Sequence, residues 1–208
     1  IERYEVSQVA ALRWLVRHCL RNPAGSLSVN RLYNDMKAQG LAVSKDSVHA
    51  MFGYFVDAFL ISAVPLATES ERQRNTNPRK VYPADPGLIG AFDSSGRENT
   101  GRALETVVFN EIERRKAEVG YVKTKDGFEI DFEVKHAGGY IDLIQVCADI
   151  DDRETAEREF RALETAPAVS RKKLNKMILV LTREQADKHS GRDIEVKPVY
   201  EWLLTDME

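Results

Sequence analysis

Between residues 127 and 147 the sequence reads GFEIDFEVKHAGGYIDLIQVC. Within it, Glu129, Asp131, Glu133 and Lys135 alternate with Phe128, Ile130, Phe132 and Val134. A period of two is that of a β-strand with one charged and one apolar face. The stretch Ala137-Gly138-Gly139 reads as a hairpin turn, where glycine can supply positive φ. Tyr140 to Cys147 then reads as a second, central strand, apolar apart from Asp142 and Gln145. A carboxylate on one strand beside a polar residue on a buried neighbour is an arrangement that can hold Mg²⁺, which neutralises phosphate and lowers the pKa of its water. Strand spacing places Asp131 and Glu133 about 7 Å apart, so both can line one groove with Lys135 on the same face. The plainer reading is a solvated face of cross-strand charge pairs.

The elements that must position these residues follow from the periodicity. A helix is expected from Gly101 to about Glu118, with Leu104, Val108 and Ile112 as its apolar stripe. Glu105 falls on or beside that inward face, where a carboxylate needs a cation, a metal or a hydrogen-bond network. Further expectations are a strand near 121–125, a charged amphipathic helix over 152–165, a buried strand over 176–182, a shorter strand over 194–199 and a last helix containing Trp202 and Leu203. The order is α-β-β-β-α-β-β-α, an α/β unit with a mixed central sheet.

Upstream, helices are expected over 6–22, 28–38 and 45–58, with Ser28 and Ser44 as caps and Gly40 as a stop. A strand over 60–66, a polar basic loop and a return strand at Lys80-Val81-Tyr82 complete a winged helix-turn-helix plan. Residues 1–84 would form this domain, 85–100 a connection rich in Gly, Asp and Ser, and 101–208 the second domain. Candidate DNA contacts are Lys45, Ser47 and His49 on the third helix, with Arg72, Arg74, Arg79 and Lys80 on the wing. Such contacts to phosphate set affinity and register. The alternative is a winged helix used for packing or oligomerisation, so a homo-oligomer is a second expectation.

Residues 1–100 carry 12 Lys and Arg against 10 Asp and Glu, while the remainder carries 18 against 23. The mildly basic first half permits nucleic-acid binding. No apolar run approaches the roughly 20 residues of a membrane helix. Cys19 and Cys147 lie in apolar surroundings and read as buried free thiols of a reducing cytoplasm. The chain starts at Ile1 without a methionine, as a piece of something longer would.

The element order and four stretches, PRKVYPADPGLIGAF, GRALETVVFNEIERR, GFEIDFEVK and YIDLIQVCADI, resemble the C-terminal region of a family of bacterial and archaeal AAA+ ATPases. In that family a winged helix and a PD-(D/E)XK, restriction-endonuclease-like domain of unknown function follow the ATPase module. The resemblance covers nearly the whole chain. It implies an α-β-β-β-α-β core, and an ATPase module as partner that would hold the ATP. No phosphate-binding loop with Lys-Ser/Thr occurs within these residues. In active members of the wider fold a strand Asp and an acid on the next strand hold the metal, and a Lys two residues later positions the attacking water. Asp131 matches the first acid and Glu105 the acid often found on the first helix. Gln145 stands in place of the second acid and Cys147 in place of the lysine. Gln is a poor ligand for a hard cation, and Cys cannot replace a cationic lysine. The resemblance therefore implies a degenerate site, with no cofactor in this fragment. The leading expectation is a non-catalytic DNA- or partner-binding module. A Mg²⁺-dependent nuclease using Glu105 and Asp131, with the Glu133/Lys135 pair as an optional addition, is the alternative from the enzyme class, and an assembly module without nucleic acid is a third.

Overall fold

The computed structural model describes residues 8–93, 99–166 and 173–205. Its N-terminal part runs α1 (Val9–Arg21), β1 (Ser26–Leu27), α2 (Val29–Ala38), α3 (Lys45–Asp57), β2 (Ile61–Val64), α4 (Glu71–Thr76), β3 (Arg79–Pro83) and α5 (Gly87–Phe92). The remainder runs α6 (Thr100–Arg114), β4 (Glu118–Lys123), β5 (Glu129–Lys135), β6 (Ile141–Cys147), α7 (Arg153–Glu164), β7 (Leu174–Val180), α8 (Arg183–Lys188), β8 (Glu195–Pro198) and α9 (Val199–Leu204). The fold is mixed α/β.

The first three helices form where capping and apolar spacing coincide. The Ser28 hydroxyl accepts from the Arg31 amide, and Ser44 with Ser47 closes a reciprocal cap at the start of α3. Leu15, Leu32, Met36, Val48 and Phe55 interlock beneath them. A small antiparallel sheet of order β1-β3-β2 lies alongside. The second sheet has order β4-β5-β6-β7-β8, antiparallel across its first three strands and parallel across its last three. On one face, Ala156, Phe160 and Leu163 of α7 and Ala186 of α8 pack with Ile141, Leu143 and Ile178. On the other, Val108, Phe109 and Ile112 of α6 and Trp202 of α9 pack with Phe132, Ile144 and Leu179. Val64 and Tyr82 of the small sheet belong to that second core, and Tyr82 stacks on Phe109 with ring centroids 4.4 Å apart. The two parts of the chain thus share a core.

Several elements differ from the sequence expectation. Helix α6 stops at Arg114, because Lys116 adopts a left-handed φ of 56° and turns the chain into β4. Three short helices, the polar α4 and α8 and the apolar α5, occupy stretches expected as loop or connection. They lack a long apolar stripe, and two of them are set by caps, Ser70 for α4 and the Thr182–Gln185 box for α8. Within the expected connection, Ile89 of α5 is buried and Leu88 and Phe92 pack against the N-terminal core. Residues 94–98 of that connection lie outside the described residues.

Strand β5 carries the largest departure. Gly120 to Val122 of β4 oppose Glu133 to Ile130 of β5, so β5 holds one extra residue, a β-bulge. Ile130 therefore packs on the α7 face, whereas Phe132 and Val134 pack on the α6 face.

Candidate functional site

The bulge decides which acids meet. Glu129, before the bulge, and Asp131, within it, turn toward α6, where Glu105 sits one turn into the helix. At the centre of the three is a cation, the ammonium of Lys80 from β3. Its Nζ lies 2.8 Å from Asp131 Oδ1, 2.9 Å from Glu129 Oε1 and 3.1 Å from Glu105 Oε1. The Tyr82 hydroxyl donates to the same Glu105 oxygen at 2.7 Å. Asp131 Oδ2 accepts from the Val146 backbone amide at 3.0 Å. Lys80 is 2 % exposed and Asp131 7 %.

The placement of Lys80 follows from strand alternation on β3. Val81 points into the N-terminal core, which sends Lys80 and Tyr82 the other way, toward α6. Burial alone would lower the Lys80 pKa, but Asp131, Glu105 and Glu129 together hold it well above its usual value. Burial and then the Asp131 charge push Glu105 up to about 8, against the pull of Lys80 and Tyr82. One ammonium cannot balance Asp131, Glu129 and Glu105 together, and burial favours the protonated form of Glu105. Tyr82 is raised too, by burial first and by Glu105 next, and it remains a donor.

The remaining expected site residues go elsewhere. Glu133 and Lys135 do not share a face with Asp131, because the bulge turns them to the opposite side of the sheet. There Lys135 lies 3.7 Å from Glu133 and from Glu69, and 3.8 Å from Glu118. An acid-x-lysine site with Asp131 is therefore not formed. Gln145 is buried, but its amide is engaged at both ends: Oε1 accepts from the Asp131 amide that the bulge leaves free, and Nε2 donates to Glu159 Oε2 at 2.6 Å. Arg158 holds the other oxygen of Glu159 at 2.6 Å. Cys147 donates weakly to the Asp149 carbonyl, and burial pushes its thiol up to about 12.

A divalent cation in the manner implied by the resemblance does not fit this donor set as arranged. The position between Glu105, Glu129 and Asp131 is filled by an ammonium, and Gln145 is turned to Glu159. Among the described residues no group of three His, Cys, Asp or Glu side chains is arranged to hold a metal.

Of the expected DNA contacts, Lys80 is corrected outright, since it is buried among carboxylates and is not on a wing surface. Arg74 is half-buried, donates to the Thr68 carbonyl and lies 3.9 Å from Glu118. Ser47 is spent on the α3 cap. Lys45 sits 5.7 Å from the centre of the Tyr33 ring. His49 and Arg79 line one cleft, with Phe52, Gly53 and Asn77. Arg72 is exposed on α4. Tyr82, Glu129 and Glu159 are site residues that the sequence did not single out, and Lys80 was singled out for a different role. The Lys80-x-Tyr82 spacing was the signal that these two share a face of β3.

No protein-family profile matches the chain, and no solved structure matches it. The chain is 29% identical over 214 residues to an uncharacterized protein of the archaeon Methanocaldococcus jannaschii. That alignment covers 99% of this chain and 47% of the relative, so the chain spans about half the length of the curated protein it matches. Among the described residues, no helix is long and apolar enough to cross a membrane.

Proposed function

We propose that this chain is a non-catalytic nucleic-acid- or partner-binding module at the C-terminal end of a AAA+ ATPase, with a winged helix placed on a nuclease-like core. The observation that carries the reading is the Lys80 ammonium, within 3.1 Å of Glu105, Glu129 and Asp131. A lysine from the N-terminal part is the counter-ion of the three acids, and it joins the two parts. The Gln145 network supports the same reading, since the residue in place of the second acid acts as a backbone cap. The greater length of the archaeal relative leaves room for a motor module.

The test is incubation of the chain with duplex and single-stranded DNA in Mg²⁺ or Mn²⁺, scored for binding and for cutting. Binding that weakens steeply with salt, without cutting, is expected. Cutting that disappears with chelator and in Asp131→Ala would replace this reading with a metal-dependent nuclease.

A further inference from the structure

The N-terminal part has two cationic faces, and they differ in what the cations already hold. Around α3 and α4, Lys45, Arg72, Arg74 and Arg79 are interspersed with Asp46, Asp57, Glu69 and Glu71. Helix α1 carries Arg13, Arg17 and Arg21 and no acid along its length. Arg17 and Arg21, His18 and the Arg102 side chain of α6 line a cavity of about 870 Å³. It adjoins a smaller one of about 290 Å³, which shares His18, Asn22 and Arg102 and adds Arg31 of α2. Four guanidinium groups from three helices therefore line one continuous groove.

Two carboxylates temper that charge. Asp93 accepts from Asn99 at 2.6 Å and lies 3.8 Å from Arg21, and Asp35 lies 3.9 Å from Arg31. Among the described residues, Arg17 and Arg102 have no carboxylate within ion-pair distance, and both are exposed. Trp14 and His18 stack at the groove wall with centroids 4.8 Å apart. Partial burial holds His18 below its usual pKa, so this wall is a neutral aromatic surface. Spaced guanidinium groups beside stacked rings suit a chain of phosphates carrying bases.

We infer that the groove between α1, α2 and the start of α6 binds the phosphate backbone of a nucleic acid through Arg17, Arg21, Arg31 and Arg102. This rests on the nucleic-acid half of the proposed function and moves the contact surface away from α3 and α4. Net charge of the whole chain is -3, so binding depends on this local concentration of arginine.

The experiment compares the whole chain with two double variants in fluorescence-anisotropy titrations of labelled single-stranded and duplex DNA across a salt series. Arg17→Glu with Arg102→Glu reverses the groove, and Lys45→Glu with Arg72→Glu makes the same charge change on the other face. All four residues are exposed, and melting curves verify that each variant folds. The milder pair Arg17→Gln with Arg102→Gln serves if the reversal does not fold. The groove variant should bind about tenfold or more weakly at low salt and lose roughly 1.5–2 from the slope of log affinity against log salt, as two phosphate contacts predict. The control should lose about twofold, from net charge alone. Equal losses in both variants, or a loss confined to the control, would overturn the groove while leaving nucleic-acid binding intact. Absence of salt-dependent binding in the unaltered chain would remove both.

Discussion

Two groups of charge connect the N-terminal part of the molecule to α6, and they are built in opposite ways. At one end, Lys80, Glu105, Glu129 and Asp131 are packed against one another, with Tyr82 and a backbone amide completing the set. At the other, Arg17 and Arg102 stand in solvent with no carboxylate within ion-pair distance among the described residues, along a groove. The acids would attract a cation if they were free, but the fold supplies one from its own β3. The arginines would attract an anion, and among the described residues no carboxylate lies within ion-pair distance of Arg17 or Arg102. Reactive-looking residue types therefore say less about function than whether their partners are already present.

The contrast can be broken most sharply at Lys80. Lys80→Ala leaves buried carboxylates without their counter-ion and is expected to cost about 3–5 kcal/mol in urea denaturation at pH 7. A loss below about 1 kcal/mol would mean that water or a solution cation replaces the ammonium, and the buried group would then resemble the open groove.

Protonation of Glu105 gives a second test. Its folded pKa of about 8 lies above the usual 4.5, so its contribution to stability is full below about 4.5 and is lost as pH rises through about 8. Unfolding free energy should therefore decline across that window, and Glu105→Gln should flatten the decline. Gln145→Ala comes next. It strands the Asp131 amide and the Glu159 carboxylate, and should cost about 1–3 kcal/mol by the same denaturation measurement. Arg17→Ala with Arg102→Ala should change stability by less than about 0.5 kcal/mol, because both side chains are exposed and form no ion pair among the described residues. A larger change would show that the groove arginines support the fold.

The five-stranded sheet was legible because β6 and β7 are long apolar runs and α6 and α7 have apolar stripes. Helix α8 was not legible, because a six-residue helix made by a cap has no period to detect. Within the site, Asp131 and Glu105 could be picked out from strand alternation and from a carboxylate on an inward helical face. Their partner could not be picked as easily, because Lys80 closes a basic stretch, RNTNPRK, that looks like a solvated loop. The bulge was hidden for a different reason. It depends on Gln145 capping one amide from the neighbouring strand, a contact between residues 14 positions apart. That single extra residue separates Asp131 from Glu133, which simple alternation had joined.

Residues 65–67 run parallel to β4, with the Tyr121 amide donating to the Pro65 carbonyl at 3.0 Å and the Ala67 amide donating to Tyr121 at 2.8 Å. They lie so close that a methyl group on Gly120 would fall 2.9 Å from the Ala67 side chain. A sheet margin with free amides and carbonyls is a template for aggregation, and this one is covered by a piece of the chain made earlier in synthesis. A truncation that begins after residue 84 would bare that margin and the aromatic surface beneath Tyr82 together. Such a fragment should precipitate or self-associate on expression, and solubility would return only when the missing N-terminal part is supplied.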